Sequence, residues 1–99
     1  MADKARKVRR VRIVVRGMVQ GVGFRFFTEH VARLGGVGGW VRNRYDGSVE
    51  IEAEGDDEEL DAFLREIRKG PRMSRVDDVV LQDAEPLGEK EFRIEASES

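Results

Sequence analysis

Apolar and polar positions alternate along the first patterned stretch, with Val11, Ile13 and Val15 on one side and Arg10, Arg12 and Arg16 on the other. A period of two with β-branched residues on its apolar side predicts a strand over residues 8–16, one face buried and one wet. Past Gly23 the period lengthens. Phe24, Phe27, Val31 and Leu34 share a helical stripe with His30 on its flank as a partly packed or solvated imidazole, and Gly35-Gly36 supplies the stop. A second strand is predicted over residues 37–43, glycine-rich at its start and carrying Trp40, Val41 and Asn43. Asp46-Gly47 is a hairpin signal, and the alternation over residues 48–54 turns Val49, Ile51 and Ala53 inward and Glu50, Glu52 and Glu54 outward. Asp56 with Glu59 three residues on marks the start of a second helix, in which Leu60, Phe63, Leu64 and Ile67 recur at i, i+3, i+4 and i+7 before Gly70-Pro71. A fourth strand is predicted over residues 76–81. Phe92, Ile94 and Ala96, alternating with Glu91, Arg93 and Glu95, predict a short last one.

The order βαββαβ plus a short C-terminal strand implies an α+β, ferredoxin-like fold: an antiparallel sheet with two helices on one face. In that topology the first and third strands are antiparallel neighbours, so Arg10 and Arg12 face Glu50, Glu52 and Glu54. Opposite charges across a ladder contribute roughly 0.2–1 kcal/mol per pair; plain solvation of the same charges is the alternative. A right-handed crossover through the first helix runs the second strand parallel to the first. Their C-terminal ends then share one edge of the sheet. Asn43 arrives at that edge, and the connection into the first helix departs from it.

That connection, Arg16 to Arg25, reads R-G-M-V-Q-G-V-G-F-R. A strand-to-helix loop points free backbone N–H groups toward whatever lies over the helix N-terminus, a position that favours an anion. Gly17, Gly21 and Gly23 lack Cβ atoms, which allows successive N–H groups to converge and a phosphate to approach the backbone closely. Arg25, on the first helical turn, adds a planar fork of donors suited to phosphoryl oxygens. Glycines at this spacing are also ordinary turn chemistry. The stretch has neither the G-K-[ST] ending of a P-loop nor the G-x-G-x-x-G spacing of a dinucleotide site.

G-M-V-Q-G-V-G-F-R, followed by G-W-V-R-N at Gly39 to Asn43 and D-G-S-V-E at Asp46 to Glu50, closely resembles the acylphosphatase family, and the resemblance runs from about Val11 to Ile94. It implies a metal-independent hydrolase that splits acyl phosphates into carboxylate and phosphate. The arginine closing the loop motif, here Arg25, would bind the phosphoryl group together with Gly17, Met18, Val19, Gln20, Gly21, Val22 and Gly23. The asparagine after the G-W-V motif, here Asn43, would position the attacking water. Gln20 is expected to organise the loop and Trp40 to pack beside the site. No cofactor and no metal are implied.

The chain has 99 residues, 39% hydrophobic and 38% charged, enough for one domain with one core. We expect a basic arm over residues 1–7, the domain over 8–96 and a tail over 97–99; the basic arm and the acidic stretch after Ile94 lie outside the resemblance and are expected to bear on solubility or partners rather than chemistry. The initial Met1 suggests a free-standing domain rather than one cut from a larger carbamoyl-transfer protein. Cysteine is absent, which excludes disulfides, thiol catalysis and thiolate metal sites. No apolar run reaches bilayer-spanning length and no secretory h-region opens the chain, so a cytoplasmic, monomeric protein with no membrane partner is expected. A net charge of −2 gives no bulk attraction for nucleic acid, although Lys4, Arg6, Lys7, Arg9, Arg10 and Arg12 form a local basic block. The alternative function is a non-enzymatic anion- or RNA-binding module on the same scaffold. Such RNA binders expose aromatics on the open sheet face, where the first and third strands here offer Arg, Val and Glu.

Overall fold

The alternation that opens the chain continues two residues past Arg16, so that β1 spans Arg9–Met18. It is followed by α1 (Phe24–Gly35), β2 (Gly38–Asn43), β3 (Val49–Gly55), α2 (Asp57–Lys69), β4 (Arg75–Ala84) and β5 (Phe92–Ile94) in this computed structural model, which describes residues 7–98. Of the expected basic arm only Lys7, exposed, falls within the described residues. The strands form one sheet in the order β4-β1-β3-β2-β5. β1 is antiparallel to β3, with Ile13 opposite Ile51 and Val15 opposite Val49, and antiparallel to β4 on its other side. β2 is antiparallel to β3 as well. The ferredoxin-like antiparallel sheet is as expected, and the short C-terminal strand, whose direction the pattern leaves open, pairs in parallel with β2, Trp40 opposite Arg93. Residues 85–91 carry the chain from the β4 edge to the opposite edge instead of turning a hairpin, and that crossing sets β5 in the direction of β2.

Val11, Ile13, Val15, Val41, Val49, Ile51 and Ala53 line the sheet face that Phe24, Ala32, Leu60, Phe63 and Ile67 cover from the helices. Aromatic edges reinforce it: Phe24 meets Phe27 with ring centroids 6.0 Å apart, and Phe63 meets Phe92 at 6.1 Å. The inner line of α1 is Phe24, Thr28 and Ala32, displaced from the predicted stripe. Phe27 and Val31 pack partly against the core, but Leu34 is 77% exposed. The displacement follows from Thr28, a polar residue that enters the core by donating its hydroxyl to the Phe24 carbonyl at 2.8 Å. α2 begins with a complete capping box, Glu59 N–H to Asp56 Oδ1 at 2.8 Å and Asp56 N–H to Glu59 Oε1 at 2.9 Å.

The charges on the opposite sheet face are paired rather than merely solvated. Arg10 is 2% exposed and holds three carboxylates: Nε on Glu52 at 2.6 Å, Nη1 on Glu54 at 2.9 Å and Nη2 near Glu89 at 2.9 Å. Arg12 and Arg42 both reach Glu50, at 2.6 and 2.8 Å. Glu54 also accepts the Leu87 and Gly88 N–H groups at 2.8 and 2.7 Å, which straps the 85–91 connection across the end of the sheet. An RNA-binding sheet would display aromatics on its first and third strands; here those strands carry a closed network of ion pairs on this face.

Burial pushes the Glu54 carboxyl up, but the Leu87 N–H, the Arg10 guanidinium and the Gly88 N–H outweigh it and hold the group below its ordinary value. Glu50 follows the same pattern through Arg12 and Arg42. A carboxyl depressed in the folded state contributes stability that is complete above its unfolded pKa, about 4.3, and is lost as pH falls through the folded value. Thermal unfolding followed against pH is therefore expected to show a midpoint that is flat near neutrality and falls below about pH 4. Glu54→Gln should lower the midpoint at pH 7 and make the acid limb shallower; an unchanged acid limb would refute this account of Glu54.

Candidate active site

Only Val19–Gly23 lies between β1 and α1, so the open loop is shorter than the 16–25 stretch that the sequence marks. Gly17 and Met18 are ladder residues, opposite Val76 and Arg75 across a register shift in the β1–β4 pair. Gly17 sits at φ +134°, and a Cβ there would lie 2.2 Å from the Arg75 carbonyl oxygen. Its missing side chain makes room for β4 at a bulge, a role distinct from the anion contact expected of it.

The loop is pinned by its side chains and leaves its backbone open. Val19 is buried in the core and Val22 packs partly against it. Gln20 donates both hydrogens of its amide, to the Arg44 carbonyl at 2.7 Å and the Ser48 carbonyl at 2.9 Å, which fastens the loop to the turn that follows β2. Gly21 and Gly23 are both left-handed, at φ +74° and +80°, with open space where a side chain would stand. Among the described residues, no hydrogen bond engages the backbone N–H groups of Val19, Gln20, Gly21, Val22 or Gly23, and the first helical bond runs from Phe27 N–H to Gly23 C=O at 3.0 Å. α1 has no side-chain cap and no acidic residue in its first turn. The positive end of its dipole is thus uncompensated, and the curved run of amides continues directly into it.

Arg25 follows on that first turn, half-buried. Among the described residues its guanidinium has no hydrogen bond or ion pair. A cation at a helix N-terminus is disfavoured by the dipole, a conflict that an anion bound between them removes.

Asn43 ends β2 opposite Val49, which in turn stands opposite Val15 of β1. Alternation puts its side chain on the face of buried Val41, the helix-covered face, and among the described residues its carboxamide is unpartnered. The turn after it is rigid: Asp46 Oδ1 accepts the Ser48 N–H at 3.0 Å and the Ser48 hydroxyl at 2.6 Å. Those two bonds, the hydroxyl first, hold the Asp46 carboxyl at about 2. Trp40 has the opposite parity to Asn43. It stacks under Arg42, whose Cζ is 5.3 Å from the ring, on the open sheet face, and so does not pack beside the site as expected. His30 is exposed, and no group of three or more His, Asp or Glu among the described residues is arranged to hold a metal ion.

The acylphosphatase family model matches residues 11–94. The chain belongs to this family. An acylphosphatase from Koribacter versatilis (strain Ellin345) is 53% identical over 87 residues, spanning 87% of this chain and 79% of that protein. The crystal structure of acylphosphatase from Bacillus subtilis aligns with a TM-score of 0.84 at 39% identity, over 89% of this chain and 98% of that one. Full-length HypF, in a phosphate- and nucleotide-bound form, aligns at a TM-score of 0.89 and 31% identity over 98% of this chain but only 13% of its own. The acylphosphatase fold therefore occurs both as a small protein and as a part of a larger one. In this acylphosphatase the described site comprises one run of open amides, one unpaired guanidinium and one unpaired carboxamide.

Sequence reasoning missed the partners of Gln20 and the bulge at Gly17. A glycine two residues beyond a β-branched run was a signal for the bulge, since a close backbone approach is one of the standard reasons for glycine in a strand. Gly17→Ala is expected to lower the thermal midpoint more than Gly21→Ala does, because only the former adds a backbone clash to left-handed strain of about 1–3 kcal/mol. Inorganic phosphate should still bind the folded fraction of Gly17→Ala; loss of phosphate affinity without loss of stability would return Gly17 to the binding loop.

Proposed function

We propose that the chain hydrolyses acyl phosphates at the carboxyl–phosphate bond, with Arg25 and the loop amides holding the phosphoryl group and Asn43 orienting water for in-line attack. The observation that carries this reading is the pairing of an unpartnered guanidinium with unpartnered amides at one rim, tethered through Gln20 to the strand end that bears Asn43. Val19, Gln20, Gly21, Val22, Gly23 and Arg25 supply the phosphoryl contacts. Gly17 and Met18 belong to the frame that supports them.

The chemistry requires little more. An acyl phosphate is a mixed anhydride whose leaving carboxylate has a pKa around 4, so it departs without a general acid. The oxygen of water bonds to phosphorus, the bond from phosphorus to the acyl oxygen breaks, and its electron pair leaves with the carboxylate. The proton given up by water goes to a phosphoryl oxygen of the substrate. What the protein must provide is charge stabilisation and alignment. Pre-set N–H groups and a guanidinium supply the first, and a carboxamide with one acceptor and two donor hydrogens supplies the second. The open rim offers the acyl group few contacts, which favours a broad range of acyl phosphates. One chain contributes every group, consistent with a monomeric enzyme.

Hydrolysis of an aromatic acyl phosphate should be followed with chelator present. Arg25→Ala is expected to lose both phosphate inhibition and turnover, by about two orders of magnitude or more. Arg25→Lys should remain poor, because an ammonium lacks the planar fork. Asn43→Ala should lose turnover while inorganic phosphate still inhibits it with near-normal affinity. Abolition of activity by the chelator, or normal turnover in Asn43→Ala, would overturn this mechanism.

A further inference from the structure

The chain does not leave the site after β5. Residues 95–98 continue beside β2: Glu95 N–H donates to the Val41 carbonyl at 2.8 Å, and Glu98 N–H donates to the carbonyl of Asn43 itself at 2.9 Å. The Glu98 carboxylate then closes over the same strand end. It accepts the Tyr45 N–H at 3.4 Å and lies 3.6 Å from Arg44 Nε and 3.8 Å from Arg42 Nη2. Arg44 Nε is sealed from solvent and has no hydrogen-bond partner, so the Glu98 charge beside it is its compensation. From the other direction Gln20 takes the Arg44 and Ser48 carbonyls. On a third side the β3 ladder pairs Asn43 with Val49. The backbone of Asn43 is therefore held from β3 and from the C-terminal segment, the loop holds the turn that follows it, and among the described residues its side chain is left unengaged.

We propose that Glu98 is a positioning residue for hydrolysis, fixing the backbone of Asn43 so that its carboxamide points at the water in the attacking position. The proposal rests on the water-orienting role read for Asn43 above. It gives Glu98, in the stretch expected to bear on solubility or partners, a part in the chemistry. Glu98 contacts neither the loop amides nor Arg25, so its removal misdirects the water and leaves the phosphoryl cradle intact. The bond to the Asn43 carbonyl comes from the Glu98 main chain and survives replacement of the side chain; what Glu98→Ala removes is the carboxylate that anchors this segment on the Tyr45 N–H and Arg44. A displacement of about 1 Å at a positioning group can cost up to about a hundredfold in rate, and loosening of this anchor should lose less.

The test is a kinetic cycle on the full chain with an aromatic acyl phosphate. Glu98→Ala is expected to lower kcat roughly tenfold, with KM and inhibition by inorganic phosphate unchanged within about twofold. Glu98→Gln, which keeps an acceptor for Tyr45 but not the charge, should fall between Glu98→Ala and the native chain and guards against a folding artefact. Glu98→Ala should add no further loss to Asn43→Ala, measured at high enzyme concentration. A normal kcat in both Glu98 variants would overturn the proposal. So would a shift confined to KM or phosphate affinity, or an equal kcat loss from Glu98→Ala in the presence and absence of Asn43. Normal turnover in Asn43→Ala alone would instead remove the reading on which the proposal stands, and that result is obtained without any Glu98 variant.

Discussion

β3 runs antiparallel to both of its neighbours, and that one constraint assembles the site. Because β1 and β2 are each antiparallel to β3, they point the same way, and Val15, Val49 and Asn43 form a single row across the sheet. The loop begins a few residues beyond that row on β1, and the turn holding Arg44 and Asp46 begins just beyond it on β2. Two segments separated in sequence by a whole helix are thus brought side by side by ladder hydrogen bonds alone. Gln20 converts proximity into fixed geometry. A neutral amide with two donor hydrogens spans two carbonyls of the neighbouring turn, and a charged side chain there would add a field next to a site already committed to binding an anion.

Arginine is used in two opposite ways in this molecule. On the open sheet face every guanidinium meets carboxylates, and Arg10 alone meets three while almost fully buried. Truncating one partner in so enclosed a set typically costs about 3–5 kcal/mol, because the remaining charge is stranded. Arg25 is left unmatched. With 20 acidic residues against 18 Lys and Arg in the sequence, the lack of a partner for Arg25 is not a shortage of carboxylates. Arg65, Arg68 and Arg72 are likewise without an ion pair among the described residues; what sets Arg25 apart is its place on the first turn of an uncapped helix beside open amides.

Much of the fold was readable because each element announces itself locally. Period-two alternation at Val11, Ile13 and Val15 and again at Val49, Ile51 and Ala53, the Asp56/Glu59 box and the Asp46-Gly47 turn all depend on neighbours within a few residues. Errors arose where distant chain decides. Leu34 has the spacing of a core residue, but Thr28 can enter the core through its own helix carbonyl and rotates the buried line away from it. β4 runs to Ala84, past the predicted Leu81, since its partner Arg10 extends the ladder. The direction of β5 follows from a strap anchored on Glu54, which no local pattern encodes. In the candidate site, motif and topology together single out Arg25 and Asn43, and the structure puts them on the first turn of α1 and at the end of β2. Parity alone separates Asn43 from Trp40, so the position of the tryptophan on the other face was available from the sequence and overlooked. Glu98 was not legible: its bonds are to backbone groups more than fifty residues away, and backbone groups carry no sequence signature.

The two helices show what the site costs in stability. α2 opens with the full reciprocal cap of Asp56 and Glu59 and three acidic residues in its first turn, every device that satisfies helix N–H groups and their dipole. α1 opens on Gly23, left-handed, with no side-chain acceptor and no acid; the extended backbone that lets Asp56 cap α2 is absent there. A chain that caps one helix completely and leaves the other bare is not short of capping residues. A capping side chain at residue 23 would compete for the N–H groups that the proposed phosphoryl contact uses. The bare helix start and Arg25, unpaired among the described residues, share the first turn of α1, and under the proposed phosphoryl-binding reading a single anion would serve both.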